Sequence, residues 1–409
     1  MGPLCLRRMT GSAAILRVAS NQAVACHIPI ATTDATTMDT TLPLTLLGGI
    51  SPERFMRQYW QKKPLLIRQA VPGMQPLLSR AALFALAAED HVESRMITRE
   101  ASGKGWRLRH GPFGRAAIPK LSQPAWTLLV QGLDLHLDGA HALLEQFAFV
   151  PRARLDDLMV SFATDGGGVG PHFDSYDVFL LQAQGQRRWR IGRQKDLTLQ
   201  PDVPLKILRD FQPEQEWVLE AGDMLYLPPR YAHDGVAQGE CMTYSIGFRA
   251  PAQGEWAQDL LQRLADVAGD ASGQRYADRG QLATPSAAAI PPELQAFARR
   301  AVERALADPY AVDRAMGESL SEPKAQVIFA PGASDPAGPL ALDRRTRMLY
   351  DAHHVFINGE SYRASGKDFA LLQALADQRT LTAADAARLS RQARVLLEEW
   401  MEMGWLHRV

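Results

Sequence analysis

The pattern of hydrophobic positions divides the chain into a strand-rich middle between two helical parts. Between about residues 155 and 250, short β-rich runs alternate with turn clusters at the spacing typical of an antiparallel sandwich or barrel. The runs predict strands at 158–162, 178–181, 189–191, 217–219, 224–227 and 243–246, with a hairpin turn at 184–186. An antiparallel double-sheet barrel of the jelly-roll kind is the simplest architecture for them.

The residues before this middle part predict mainly helices. Ser51 at the N-cap and Pro52 at the first helical position start a helix that runs through Trp60. The segment before Pro64 ends that helix, and Leu65–Ile67 is typical of a buried strand. Residues 75–150 are expected to be mostly helical.

The residues after the middle part predict further helices and then a small separate module. Helical patterns resume from Glu255 to about Arg304, around a break near 269–292. A linker at 330–336 precedes a hairpin that turns at Asn358-Gly359 and then helices at 368–378, 382–390 and 391–403. The last unit is therefore expected to resemble a winged helix.

Composition and charge exclude several classes of protein. The chain has 409 residues, of which 46% are hydrophobic, and its 45 Lys and Arg balance its 45 Asp and Glu. No stretch approaches the roughly 20 apolar residues of a membrane-spanning helix, and no overall positive charge favours nucleic acid. The only cysteines, Cys5, Cys26 and Cys241, fit neither a disulfide framework nor a zinc site. A reducing compartment, the cytoplasm, is expected.

Residues 1–40 are the least globular part of the chain. They are rich in arginine and poor in acidic residues, and Arg17 interrupts their apolar run after four residues, which disfavours a secretory signal. An organellar transit peptide remains an alternative to a disordered leader or an upstream extension before Met38.

The residues that predict chemistry begin at a glycine-rich segment, 166–170, followed by His172 and Asp174. Alternate residues of a strand point to the same side, so these two side chains are expected to project together into the barrel. The glycines would let the backbone turn tightly and leave room for a bound molecule. A second His-x-Asp, His136 with Asp138, precedes a predicted helix and is interpreted as loop or capping chemistry.

A third candidate metal ligand is His233. It follows a predicted strand and the rigid pair Pro228-Pro229, which would fix the place where the imidazole enters the same cavity. Two histidines and one carboxylate form the facial triad of non-haem Fe(II) oxygenases. The alternative for His233 alone is a histidine that caps a strand.

Arg187 is a candidate anchor for an anionic cosubstrate. In a strand it shares a face with Trp189 and Ile191, whereas Arg188 and Arg190 share the other face. An arginine among inward apolar residues needs an anionic partner, which a dicarboxylate could provide through bidentate hydrogen bonds. The alternative is an internal salt bridge.

Together these segments resemble one family. GGGVGPHFDSYDVF, GQRRWRIG, GDMLYLPPRYAH, MTYSIGFRAP and FMRQYWQKKPLLI are similar to the JmjC-type ribosomal oxygenases of the cupin superfamily, and most to the bacterial ribosomal-protein arginine hydroxylases. The resemblance implies an α+β fold with a double-stranded β-helix (jelly-roll) core. It also implies domain bounds of 41–250 for the catalytic domain, 251–330 for a helical dimerisation region and 331–409 for a winged-helix-like module.

The same resemblance implies an activity and its residues. The expected enzyme is a dioxygenase that uses Fe(II), 2-oxoglutarate and dioxygen to hydroxylate a side chain of a large-subunit ribosomal protein. His172, Asp174 and His233 match the iron ligands, and Arg187 and Ser161 match the 2-oxoglutarate site. Four further positions match the cradle of a target arginine: Asp157, Met159, Tyr176 and Ser245. For Asp157, the alternative is a solvated loop acid.

Other functions remain open at this point. A cupin with another metal, or a non-catalytic binder, would share the barrel, and related oxygenases modify histidine rather than arginine. A winged-helix regulator would bind DNA, but the last predicted helix, 391–400, carries two basic and two acidic residues, which is a poor phosphate-binding surface. Specific DNA binding is therefore not expected. A homodimer is expected, and Leu260, Leu261 and Leu264 are one candidate contact, although an intrachain core would explain these leucines equally well.

Overall fold

A computed structural model of the chain describes residues 38–99, 105–269, 275–331 and 338–409. The predicted leader up to residue 37 lies outside the described residues, as does most of the predicted linker at 330–336. The described chain contains one nine-stranded sheet and two three-stranded sheets. Helices lie before, between and after the strands, but the strand-rich part begins earlier than predicted, because β-strands also lie between residues 65 and 130.

The large sheet consists of nine strands that are all antiparallel to their neighbours. They are β1 (Leu65–Ile67), β2 (Ser94–Arg99), β3 (Trp106–His110), β4 (Trp126–Val130), β5 (Leu155–Ala163), β6 (Val178–Gly192), β7 (Gln215–Leu219), β8 (Met224–Leu227) and β9 (Ala232–Phe248). Their order is β1-β8-β6-β9-β5-β4-β2-β3, and β7 pairs with β6 beside β8. The long strands β6 and β9 pair with each other along almost their whole length and so connect both halves of the barrel.

The predicted hairpin turn at 184–186 is wrong, because β6 continues through it. The pairing of β6 with β9 shifts register twice, between Gln182 and Gln184 and between Gln184 and Gln186. Gly185 adopts a left-handed conformation there, with φ of 64°. A glycine among polar residues marks a bulge as well as a turn, and here the strand bends without reversing.

The expectation that residues 75–150 are mostly helical is also wrong. Of the residues described in this range, which exclude 100–104, only α2 (Arg80–Leu86) and α3 (Asp138–Glu145) are α-helices, and β2, β3 and β4 extend the sheet. All five residues of β4 are buried, so it has no alternation of polar and apolar positions. Periodicity does not distinguish such a run from a buried helix.

The N-terminal helix is confirmed and anchors one face of the sheet. In α1 (Pro52–Gln58) the Ser51 hydroxyl accepts a hydrogen bond from the Arg54 amide. Phe55 of this helix is fully buried and packs against Phe179 and Tyr226 of the sheet, at ring distances of 5.4 and 4.9 Å. This contact belongs to the large apolar core between the sheet and its covering helices. The opposite face of the same strands is left to line the barrel.

The C-terminal part contains six helices and six short strands in the residues that the structure describes. They are α4 (Gln253–Gly269), α5 (Pro292–Ala305), α6 (Ala311–Ser321), β10 (Leu340–Leu342), β11 (Met348–Tyr350), β12 (His354–Ile357), β13 (Glu360–Arg363), α7 (Gly366–Gln378), β14 (Thr380–Leu381), α8 (Ala383–Ala387), α9 (Arg391–Glu402) and β15 (Leu406–Arg408). The predicted hairpin is confirmed: Asn358 and Gly359, with φ of 47° and 90°, join β12 to β13. None of the described helices has the length and apolarity needed to cross a membrane.

Helix α6 lies directly on the sheet formed by β11, β12 and β13. A Cβ atom at Gly317 would come within 2.3 Å of the Phe356 ring, so the helix backbone rests on that ring. The chain that leaves α6 therefore starts from a fixed position, and Lys324 lies three residues beyond the end of the helix.

Packing inside the barrel predicts a sensitive glycine. Gly235 of β9 pairs with Trp189 of β6, and an added Cβ would lie 2.6 Å from the indole ring. Trp189 is only 5% exposed, so the ring has little room to move. We expect Gly235→Ala to lower the free energy of unfolding by about 1–3 kcal/mol, the usual range for overpacking.

The measurement is urea denaturation followed by tryptophan fluorescence. Gly254→Ala is the matched control, because a Cβ there meets nothing within 4 Å and alanine favours the helical conformation of α4. Equal stability of the two variants would show that the Trp189 ring is not fixed against β9.

Candidate metal centre

The centre is built on a backbone contact between His172 and His233. The His172 amide donates to the His233 carbonyl at 2.9 Å, and the His233 amide donates to the His172 carbonyl at 2.8 Å. The two imidazole rings lie with their centroids 4.2 Å apart. His233 belongs to β9 and is paired with Ile191 of β6. The strand pairing of the barrel therefore also fixes the position of its ring.

Each histidine uses its Nδ1 atom to fix its ring. The Nδ1 of His172 donates to the Gly170 carbonyl at 2.8 Å, and the Nδ1 of His233 donates to the Tyr231 carbonyl at 2.9 Å. This tautomer leaves both Nε2 atoms with a lone pair for a metal. Burial, and then the neighbouring His172, lower the pKa of His233 to about 4, so its imidazole is neutral at pH 7.

Asp174 reaches the same place from a loop, so the prediction that it shares a strand with His172 is wrong. Its carbonyl accepts from the amide of Arg230, a residue in the left-handed conformation directly after the two prolines. Three residues on, the buried Asp177 carboxylate accepts from the Tyr226 hydroxyl at 2.6 Å. These contacts hold both ends of the loop, and Asp174 Oδ2 lies 3.6 Å from His233 Nε2.

The three side chains converge as the sequence analysis predicts. One ligand atom from each of His172, Asp174 and His233 lies within 4.8 Å of the others, and this is the one such cluster in the residues that the structure describes. The second His-x-Asp, at His136, is not part of it. Two imidazoles that present Nε2 and one carboxylate on one side of a cavity can hold a divalent first-row metal and leave open positions opposite.

The glycines before His172 are explained by neighbouring backbone. A Cβ at Gly167 would lie 2.5 Å from the Trp126 carbonyl oxygen, and one at Gly168 would lie 2.5 Å from that of Gly235. The Ala237 amide donates to the Gly167 carbonyl. The segment is therefore pressed between β4 and β9, which directs the chain toward His172.

Arg187 lies inside the barrel without an ionic partner. The side chain is 3% exposed, and among the described residues no carboxylate pairs with it, so the alternative of an internal salt bridge is wrong. Its Nε has no hydrogen-bond partner, and its Nη2 contacts only the Cys241 thiol, at 3.6 Å. The Trp189 ring lies 5.8 Å from the guanidinium and 5.9 Å from the His233 ring, which places Arg187 on the same side as the histidines. Such a cation strongly favours an anion beside it.

Ser161 lies on the inner face of β5, which pairs with β9. It is 4% exposed and pairs with Thr243 across the contact of β5 with β9. The Thr243 hydroxyl donates to the fully buried Gln182 amide oxygen at 2.9 Å, so this wall of the barrel is polar. Sequence reasoning missed Gln182, Thr243 and Cys241, which have no distinctive spacing.

The four residues matched to a substrate cradle lie toward the other end of the same face. Met159 of β5 is paired with Ser245 of β9, and Asp157 lies two residues before Met159. Tyr176 is 39% exposed, and desolvation of its hydroxyl group, followed by the Asp174 carboxylate, raises its pKa, with Asp157 adding to this effect. Tyr176 is therefore near both the Asp174 and the Asp157 carboxylates.

The interpretation of Asp157 as a solvated loop acid is wrong. It is 3% exposed within β5 and accepts hydrogen bonds from the Gln131 side chain at 2.7 Å and the Gly132 amide at 3.0 Å. The Lys324 ammonium, 167 residues away in sequence, lies 2.7 Å from the same carboxylate. Neither Gln131 nor Lys324 carries a sequence signal, because nothing local indicates which distant residue meets a buried acid.

Comparison with known proteins agrees with this geometry. Residues 142–256 match a JmjC domain model and residues 304–407 match a ROXA-like winged-helix model. The Escherichia coli protein named ribosomal protein uL16 3-hydroxylase is 33% identical over 301 residues, which cover 73% of this chain and 76% of that one. A Haemophilus influenzae protein named "Probable ribosomal oxygenase" is 38% identical over 205 residues, or 49% of this chain and 50% of that one.

The fold is likewise that of solved ribosomal oxygenases. The X-ray structure of E. coli YcfD superposes with a TM-score of 0.73 at 28% identity, over 87% of this chain and 97% of that one. The YcfD complex with cobalt and 2-oxoglutarate gives a TM-score of 0.71 at 29% identity, over 87% and 97% of the two chains. The jelly-roll core and the C-terminal winged helix are thereby confirmed, and the chain belongs to the JmjC-type ribosomal oxygenase family.

Proposed function

We propose that the protein is an Fe(II)- and 2-oxoglutarate-dependent dioxygenase that hydroxylates an arginine side chain of the large-subunit ribosomal protein uL16. The observation that carries this proposal is the convergence of His172, Asp174 and His233 beside a buried guanidinium that lacks an anion. The name of the E. coli relative supports uL16 as the substrate, and a ribosomal substrate supports a cytoplasmic location. The C-terminal helices at 251–330 are the proposed homodimer contact.

The three converging side chains would hold the iron. His172 and His233 bind through Nε2, because their Nδ1 atoms are occupied by main-chain carbonyls. Asp174 adds the carboxylate and reduces the charge of the site. Fe(II) with 2-oxoglutarate supplies the oxidising chemistry, in which dioxygen gives one oxygen atom to succinate and the other to the substrate.

Arg187 would bind the distal carboxylate of 2-oxoglutarate, with Ser161 nearby. A guanidinium matches a carboxylate with two parallel hydrogen bonds, so the cosubstrate is oriented as well as held. Because Arg187 lies deep in the barrel, the cosubstrate's carboxylate must lose its water, which strengthens the ion pair.

The cradle favours arginine as the target over histidine. Asp157 is a buried carboxylate at the far end of the inner face, and a guanidinium can pair with it in two hydrogen bonds. A neutral histidine offers a carboxylate only one N–H donor, so it would bind Asp157 less strongly than a guanidinium. Met159 and Ser245 are paired beside Asp157, and Tyr176 is near both Asp157 and Asp174, so these side chains could contact the methylene groups of the target.

Loss of a metal ligand should remove both metal binding and turnover. We expect His172→Ala or Asp174→Ala to abolish succinate formation and the visible absorption of Co(II) bound in place of Fe(II), since two ligands do not retain the metal. His136→Ala, which changes the other His-x-Asp, should keep both properties. Retention of the Co(II) spectrum or of succinate formation by either ligand variant would contradict the assignment.

Arg187 and its neighbour Arg188 provide a matched pair for the cosubstrate site. Arg187→Met should raise KM for 2-oxoglutarate at least about 30-fold, because a buried charge pair loses one partner. The same change should maintain or raise the melting temperature without cosubstrate, since an unpaired buried charge is removed. Arg188→Met, at a position that is half-buried and near Glu216, should leave KM unchanged. An unaltered KM in the Arg187 variant would exclude the proposed anchor.

The substrate is tested by mass spectrometry of ribosomal proteins from cells with and without the gene. We expect uL16 from the intact strain to carry one added oxygen atom, and fragmentation to place it on an arginine. An added oxygen on a histidine would support the histidine-directed alternative. If no ribosomal protein differs between the strains, the proposed substrate class is wrong.

A further inference from the structure

The cradle that should receive a cation already contains one. The Lys324 ammonium lies 2.7 Å from Asp157 Oδ2 and 3.5 Å from Asp156 Oδ1. In the part of the chain that the structure describes, it is the only side-chain cation within ion-pair distance of Asp157. Lys324 belongs to the segment between α6 and β10, so it comes from outside the barrel.

Hydrogen bonds from residues other than Lys324 hold the Asp157 carboxylate in place. The Gln131 amide donates to both of its oxygens, at 3.0 and 2.7 Å, and the Gly132 amide donates to Oδ2 at 3.0 Å. Within the described residues Oδ1 accepts no other hydrogen bond, and it lies 3.9 Å from the Cβ position of Gly247, a residue without a side chain. The carboxylate is therefore an ordered acceptor whose Oδ1 can accept a further hydrogen bond.

The carboxyl groups around Lys324 explain why the cradle contains a cation when no target arginine is bound. Burial, and then the Asp157 carboxylate, raise the pKa of Asp134 to about 7, so two carboxyl groups lie close together beside Lys324. Burial lowers the pKa of Lys324, but Asp157 and Asp156 outweigh this effect and raise it, so the ammonium stays charged. Without Lys324, no side-chain cation in the described part of the chain would lie within ion-pair distance of the buried Asp157 carboxylate.

Building on the proposed function, we propose that Lys324 is an internal occupant of the subsite for the target guanidinium. The target arginine binds by replacing the Lys324 ammonium on Asp157, and the ammonium moves toward Asp156, which is exposed by 41% at its side chain. Asp156 would then be shared by Lys324 and Arg249, whose Nε already lies 3.7 Å from Asp156 Oδ1. Lys324 and Asp156 both line a cavity of about 70 Å³, and Lys324 also lines one of about 360 Å³ with Gln131 and Arg345, so the lysine side chain has room to move.

This arrangement would make the site selective for arginine over lysine. A guanidinium forms two parallel hydrogen bonds with a carboxylate and is less strongly hydrated than an ammonium, so it gains by replacing Lys324. A target lysine would exchange one ammonium for another and gain nothing. The internal cation also lowers the apparent affinity of every ligand by the fraction of molecules in which the subsite is open.

Steady-state kinetics of Lys324 variants test the proposal. With a uL16 peptide that contains the target arginine, Lys324→Met should lower the peptide KM about tenfold, since the competing ammonium is gone, without changing KM for 2-oxoglutarate. Lys324→Arg should raise the peptide KM, because a guanidinium competes better. Lys367→Met, at an exposed lysine of α7, is the control and should change neither. A peptide KM that stays constant or rises in Lys324→Met would overturn the proposal and assign Lys324 a supporting role for Asp157.

Amine labelling of the unmodified protein gives a second test that needs neither a variant nor turnover. The Co(II)-loaded protein with 2-oxoglutarate, kept without oxygen, is acetylated with and without saturating N-acetylarginine methylamide. The acetylation rate of Lys324 should rise several-fold with this probe, and that of Lys367 should not change. If Lys324 stays equally protected, the displacement does not occur. Failure of the proposed function would be recognised separately, as absence of hydroxylation of any arginine peptide by the unmodified protein.

Discussion

The site depends on one backbone contact, the pair of hydrogen bonds between His172 and His233. Because the main chains of these two residues are partners, the distance between their rings is set by strand pairing and not by side-chain flexibility. A slip of one residue in the pairing of β9 with β6 would turn His233 to the other side of the sheet. The bulges near Gln184 and the close packing of Gly235 on Trp189 fix that register, so the stability of the barrel and the metal geometry have a common origin.

Two buried charges on the inner face of the barrel differ in whether they have a partner. Arg187 has no counter-ion among the described residues, which is costly for the free protein and suits a ligand that brings a carboxylate. Asp157, at the other end, is satisfied by Gln131, Gly132 and Lys324. In the proposed function, Arg187 gains its ionic partner from the cosubstrate, whereas Asp157 exchanges Lys324 for the target guanidinium.

Local patterns in the sequence predicted the parts of this structure that local physics determines. Alternation along β6 identified Arg187 as inward, and the helix start at Ser51 and the hairpin at Asn358 are set by neighbouring residues. Strand β4 was missed because it is buried on both faces and has no alternation, whereas β3, in which Trp106 and Leu108 alternate with arginines, carries a strand pattern that could have been recognised. Asp174 lies in a loop whose position depends on Arg230 and Tyr226, and Lys324 meets Asp157 across 167 residues, so no local pattern could have revealed either contact.

The most direct test of the account is a crystal structure of the protein with Mn(II) and 2-oxoglutarate, with the metal located by anomalous diffraction. The account predicts one metal bound by Nε2 of His172, Nε2 of His233 and the Asp174 carboxylate, and a cosubstrate carboxylate paired with Arg187. A metal at any other place, or an Arg187 guanidinium that still lacks an anion when 2-oxoglutarate is bound, would contradict it.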